Sequence, residues 1–96
     1  MQVAQTILNQ LGGQRFIIMT GSKNFIAKEK GLSMRLSRNK SGANYLNIEL
    51  TPMDTYKLTF SSIRNFNMTV KKELNDIYCD QLQEMFTAVT GLYTRL

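Results

Sequence analysis

Arg35, Arg38, Lys40, Lys57, Arg64 and Lys71, with Tyr45 among them, are the residues whose chemistry stands out in this chain. Lysine and arginine neutralise phosphates and release condensed counterions. An aromatic ring offers a base a surface to stack on. Nothing in their spacing reads base edges, so the expected activity is nucleic-acid binding without sequence specificity, with single-stranded DNA favoured. Two other readings stay open for the same residues: an ordinary solvated face, or a surface for a protein partner.

Other chemistry is missing. The chain has no histidine, which removes Ser-His-Asp, Cys-His and histidine-based metal sites together. Cys79 is expected to be a half-buried structural thiol, because nothing cationic lies near it in sequence to lower its pKa. Asp76, Asp80 and Glu84 fall at i, i+4 and i+8, which on a helix makes one exposed acidic stripe. Three carboxylates on one helix leave a cation's coordination incomplete. Such a stripe is a solvated face or, as the alternative, docks on a basic surface such as that of a second copy. Gly12 and Gly13 lack the spacing of a phosphate loop and follow a helical segment, whereas anions bind at helix starts. Gly21, Ser22 and Lys23 read as a plain turn, with a small anion nest as the alternative. The expectation is a protein that is not an enzyme, with no catalytic residue, no metal and no cofactor.

Ninety-six residues make one domain, residues 1–96. The single cysteine forbids an intrachain disulfide and suits a reducing cytoplasm. The first ten residues carry no charge, and Gln5, Asn9 and Gln10 interrupt their apolar run, so neither a secretory signal nor a membrane span is expected. The net charge of +5 hides a division. Residues 12–72 hold eleven Lys/Arg and three acids; residues 73–96 hold one Arg and four acids.

These groups need elements to position them. Val3, Ile7, Leu8 and Leu11 share one face at a period of 3.6, which predicts a helix over 2–11 that the two glycines end. The pattern then switches to period 2. Residues 15–20, rich in Phe, Ile and Met, predict a strand, and 25–28 a short strand or extended link. Leu32, Met34 and Leu36 alternate with polar residues; so do Leu46, Ile48 and Leu50, then Tyr56, Leu58 and Phe60. A last strand places Phe66, Met68 and Val70 inward, opposite Asn65, Asn67, Thr69 and Lys71. A closing helix starts at Asn75 or Asp76, with Tyr78, Leu82, Met85, Phe86 and Val89 on its apolar stripe and Gly91 as its stop. Phe25 and Tyr93 are the expected exposed aromatics. The fold class is α+β: an N-terminal helix, a four- to five-stranded antiparallel sheet and a C-terminal helix, with both helices on one sheet face. The other face then carries Arg35, Tyr45, Asn47, Lys57, Thr59, Asn67 and Lys71.

Several stretches resemble a group of short, functionally uncharacterised bacteriophage and prophage proteins. They are Ala4 to Leu8 with Leu11, Gly12 and Gly13; Arg15, Phe16 and Ile17 leading to Met19, Thr20 and Gly21; Lys23, Asn24 and Phe25; Leu50 to Tyr56; and Phe86, Thr87 and the run from Thr90 to the closing Thr94, Arg95 and Leu96. The resemblance implies a mobile-element origin and a bacterial host cytoplasm, and hands over no functional residue. The expected topology is also similar to that of the transcriptional-coactivator type of single-stranded-DNA binder, a likeness of fold alone. Two rival functions follow: a small phage protein that binds and modulates a host protein, or a self-assembling structural protein, a homodimer included.

Overall fold

The computed structural model describes residues 2–93. The closing Thr94, Arg95 and Leu96 of the phage resemblance lie outside the described residues. Helix α1, Gln2–Leu11, buries Ala4, Ile7 and Leu11 and half-buries Val3 and Leu8, the face that its periodicity predicts. Gly12 and Gly13, at φ 126° and 60°, then turn the chain through backbone angles that a Cβ would resist.

Residues 15–20 are not a strand. They belong to a second helix, α2, Gln14–Thr20. Phe16 and Thr20 are buried one helical turn apart, and the Thr20 hydroxyl donates to the Phe16 carbonyl at 2.7 Å. The Phe16 ring meets Phe86 edge-on, with centroids 5.0 Å apart and planes at 71°. Gly21, left-handed at φ 70°, closes the helix by donating its N–H to Ile17 at 3.0 Å. Tertiary burial of Phe16 thus overrides the β preference of its neighbours. Ile18, which strand alternation would put beside Phe16, is 71% exposed.

Five strands follow: β1 Lys23–Lys28, β2 Gly31–Arg35, β3 Tyr45–Leu50, β4 Tyr56–Arg64 and β5 Asn67–Ile77. Each pairs antiparallel with the next, so the sheet order is the chain order. Short connections favour this meander, because parallel neighbours would need long crossovers. Leu32, Met34, Leu46, Ile48, Leu58 and Phe60 line one face and are at most 3% exposed. They pack under the helices against Ile7, Leu11, Phe16, Leu82 and Phe86, as the sequence predicts for helices on a single face. The β2–β3 pair also needs glycine at position 31, where a Cβ would sit 2.3 Å from the Ile48 carbonyl oxygen.

The chain's end departs from expectation. Residues 75–77 remain in β5, and helix α3 spans Leu82–Thr90 after a 3-10 turn at Cys79–Gln81. Pairing of Ile77 with Tyr56 holds the strand, and Asp76 adopts φ 57°, which no helix start accommodates. The Gln81 side chain accepts the Tyr78 N–H at 3.0 Å and starts the new element. Asp76, Asp80 and Glu84 therefore lie on a strand, a turn and a helix, and the acidic stripe does not exist. Tyr78 falls outside α3 and is 59% exposed, while Leu82 and Phe86 are buried and Met85 and Val89 half-buried. Gly91 ends α3 at φ 77°. Leu92 packs on the core and Tyr93 does not. Cys79 is exposed, not half-buried.

Candidate nucleic-acid interface

Cross-strand partners point to the same side of a sheet. The registers Arg35↔Tyr45, Asn47↔Thr59 and Glu49↔Lys57 therefore place Arg35, Tyr45, Asn47, Lys57 and Thr59 together on the helix-free face, as expected. That face is less basic than its cations suggest. Glu49 and Glu73 share it. Lys57 Nζ lies 3.6 Å from Glu73, and Lys28 donates to Asn47 Oδ1 at 2.8 Å. Arg35 and Tyr45 are only half-exposed, so Tyr45 is not an open stacking platform.

The β4–β5 hairpin obeys a different geometry. Phe60 pairs with Lys72, but Ser61 pairs with Val70, leaving Lys71 as an extra residue in β5. A one-residue bulge reverses which face each later position meets. Met68 and Val70 therefore turn to the helix-free face, although Leu74, of the same parity, packs against the core. They are 58% and 55% exposed. The expected inward row of Phe66, Met68 and Val70 is thus overturned. Asn67, paired with Arg64, and Lys71 lie on the helix side, not on the face proposed for them.

On that helix side two shallow hollows meet at Lys71. One is lined by Ser62, Arg64, Asn65, Asn67, Thr69 and Lys71. The second runs between β5 and α3, past Ser41, Lys71, Lys72 and Val89. Neither lining contains a carboxylate. Gly42 approaches the Lys71 stem, since a Cβ there would lie 3.9 Å from Lys71 Cε. Lys40 stands beyond the same loop. Its backbone N–H donates to Thr90 at 3.2 Å, and its stem covers Gly91. That puts a cation at the carbonyl end of α3, where the helix dipole favours one. The loop is held by Asn39, whose amide donates to the Ser37 and Ala43 carbonyls, both at 2.8 Å, and accepts from Ser41.

The seven sequence-derived candidates therefore divide. Arg35, Tyr45 and Lys57 occupy the mixed-charge open face. Arg64, Lys71 and Lys40 lie along the helix-side flank of the hairpin and the neighbouring loop. Arg38 is exposed in that loop. Two residues of the flank were not anticipated. Lys72 comes there by pairing with inward-facing Phe60. Phe66 occupies the hairpin tip at 105% relative exposure. The tip is a two-residue loop, Asn65 and Phe66, with φ 50° and 67°, the signs of a type I′ turn. An asparagine between two alternating runs was its sequence signal. The even spacing of Phe66, Met68 and Val70 hid it. Of the expected exposed aromatics, Tyr93 is exposed at 69%, whereas Phe25 packs partly against the core.

Away from this flank, Tyr56 ties the sheet to α1, its hydroxyl donating to Gln10 Oε1 at 2.9 Å. Burial pushes its phenol above the usual range, neighbouring Cys79 adds to the rise, and the Gln10 amide offsets part of it. Among the described residues no group of three His, Cys, Asp or Glu is arranged to hold a metal, and no helix is long and apolar enough to cross a membrane.

Comparison with protein-family models, curated proteins and solved structures finds no match to this chain.

Proposed function

We propose that the protein is a non-catalytic accessory nucleic-acid binder of phage type, working in a bacterial cytoplasm. It grips the phosphate backbone without sequence specificity along the helix-side flank of the β4–β5 hairpin. The supporting observation is the acid-free run of Arg64, Lys71 and Lys72 with Lys40 close by. Asn67 and Thr69 add neutral hydrogen-bonding groups beside those cations. The open face is the weaker candidate, because its Lys57 is paired with Glu73 and its Lys28 with Asn47.

Fluorescence polarisation with a labelled mixed-sequence DNA strand tests this. Four phosphate contacts give a slope of log affinity against log salt of about −3 on a single strand. Lys71→Glu and Arg64→Glu each weaken binding and flatten that slope, whereas Arg35→Glu and Lys57→Glu change both less. Absence of binding to single strands, duplex and RNA at low salt refutes the proposal. A larger effect from Arg35→Glu and Lys57→Glu moves the site to the open face.

A host-protein modulator is the second reading, favoured by the apolar corner of Met68 and Val70 on the open face. Its signature is a stable complex recovered from host lysate after nuclease treatment.

A further inference from the structure

Five residues other than glycine adopt positive φ among the described residues: Asn24, Asp54, Asn65, Phe66 and Asp76. Four are Asn or Asp, whose short polar side chains tolerate the left-handed region. Phe66 is the exception. A bulky residue there costs roughly 1–2 kcal/mol, and glycine is the residue that an asparagine-led type I′ turn prefers. Phe66 recovers nothing from packing, since its side chain stands wholly in solvent. Strain and exposure coincide on one aromatic at the end of a hairpin. Strain kept without a folding benefit points to a use outside the fold.

The surroundings narrow that use. Arg64 and Asn67 flank the tip and form the first pair of the hairpin ladder. Both line the acid-free hollow that leads to Lys71. A ring projecting from the end of a cationic track suits a polyanion that carries flat, unpaired faces. Duplex DNA hides those faces in its stack, whereas a single strand exposes them.

Building on the proposed nucleic-acid function, we infer that Phe66 stacks on an unpaired base and makes the protein select single strands over duplex. The phosphates leading from that base run past Arg64 towards Lys71. The ring contributes without reading sequence, because every base has a π face.

The test uses the full chain with a fluorescein-labelled DNA strand and the corresponding hairpin duplex. Wild-type protein binds the strand more tightly than the duplex. Phe66→Ala lowers strand affinity by about five- to a hundredfold, the range for one lost base stack. It leaves duplex affinity and the salt slope unchanged. Phe66→Trp preserves strand affinity. Phe66→Gly supplies the second readout: it weakens strand binding like Phe66→Ala and raises the thermal midpoint by several degrees, as relief of left-handed strain in a small domain should. Equal strand affinity for wild type and Phe66→Ala overturns the inference while leaving the backbone grip intact. A lowered midpoint in Phe66→Gly overturns it too, because Phe66 would then serve the fold. No binding of either DNA, nor of an RNA strand, by wild type at low salt refutes the proposed function itself.

Discussion

The two ends of strand β4 behave as different materials. At its first end Tyr56, Leu58 and Phe60 alternate with half-exposed Lys57 and Thr59, and every inward residue is buried beneath the helices. Past Ser62 the strand leaves that cover. From Arg64 to Glu73 the hairpin buries no residue. The covered end concentrates apolar area and defines the fold. The hairpin end carries exposed cations, exposed apolar side chains and a strained tip, none of which helps folding. Regions that trade local stability for accessible groups are where binding surfaces are found.

That contrast is broken most forcefully by truncating one side chain at each end. Phe86 is fully buried and its ring meets Phe16 and Phe60, with centroids 5.0 and 6.4 Å away. Phe86→Ala is expected to cost about 3–5 kcal/mol, a large share of the roughly 5–15 kcal/mol available to a domain. Val70→Ala, on the hairpin, should cost no more than about 0.5 kcal/mol. Urea denaturation of both variants checks the pair. Comparable losses would mean that the hairpin is part of the core.

The same contrast explains what was legible in the sequence. Alternation at Leu32, Met34, Leu46, Ile48, Leu58 and Phe60 identifies the covered strands and their inward face, because burial on one side imposes a period of two. With that face fixed, the side bearing Arg35, Tyr45 and Lys57 follows. Periodicity fails where burial is not the cause of the pattern. In β5 the bulge at Lys71 reverses the phase, so Met68 and Val70 look inward in sequence and point outward in space. In residues 15–20 a short apolar run suits either a strand or a buried helix. Contact between Phe16 and Phe86, seventy residues apart in the chain, decides it. The acidic stripe fails for a related reason, since the pairing of Ile77 with Tyr56 that keeps Asp76 in a strand is non-local. Composition shows that the chain is basic; the alternation of β4 at Arg64, the bulge at Lys71 and the loop of Lys40 divide its cations between two surfaces.

A smaller effect is expected at the covered end, where Tyr56 joins α1 to β4. Tyr56→Phe removes the bond to Gln10 and should cost about 1 kcal/mol at neutral pH. The folded-state phenol is raised, chiefly by burial, so the unfolded chain ionises first as pH rises. The folded state then binds more protons than the unfolded state. Stabilisation from the neutral phenol is complete below about pH 10, its ordinary value, and is lost as pH climbs towards the folded value. Denaturation of wild type and Tyr56→Phe across that range isolates the effect. The stability difference between them should shrink above about pH 10, and a difference that grows would contradict a raised phenol.

A weaker effect than that of Tyr56 is expected of Lys57 and Glu73, the ion pair that joins the two regions across the open face. Their atoms are 3.6 Å apart and the side chains are 40% and 45% exposed. Water screens such a pair, and holding two long side chains in one geometry costs entropy, so a coupling of about 0.2–1 kcal/mol is expected. A double-mutant cycle with Lys57→Ala and Glu73→Ala measures it, and added salt should reduce it further. The value sharpens the comparison because Glu73 is the last exposed residue before Leu74 returns β5 to the core. A coupling near zero leaves the hairpin held by its backbone ladder and by the Asn44 side chain, which donates to the Ile63 carbonyl and accepts the Ile63 N–H. A coupling well above 1 kcal/mol would tie the hairpin electrostatically to the covered sheet. The proposed binding surface would then be one rigid unit with the covered sheet.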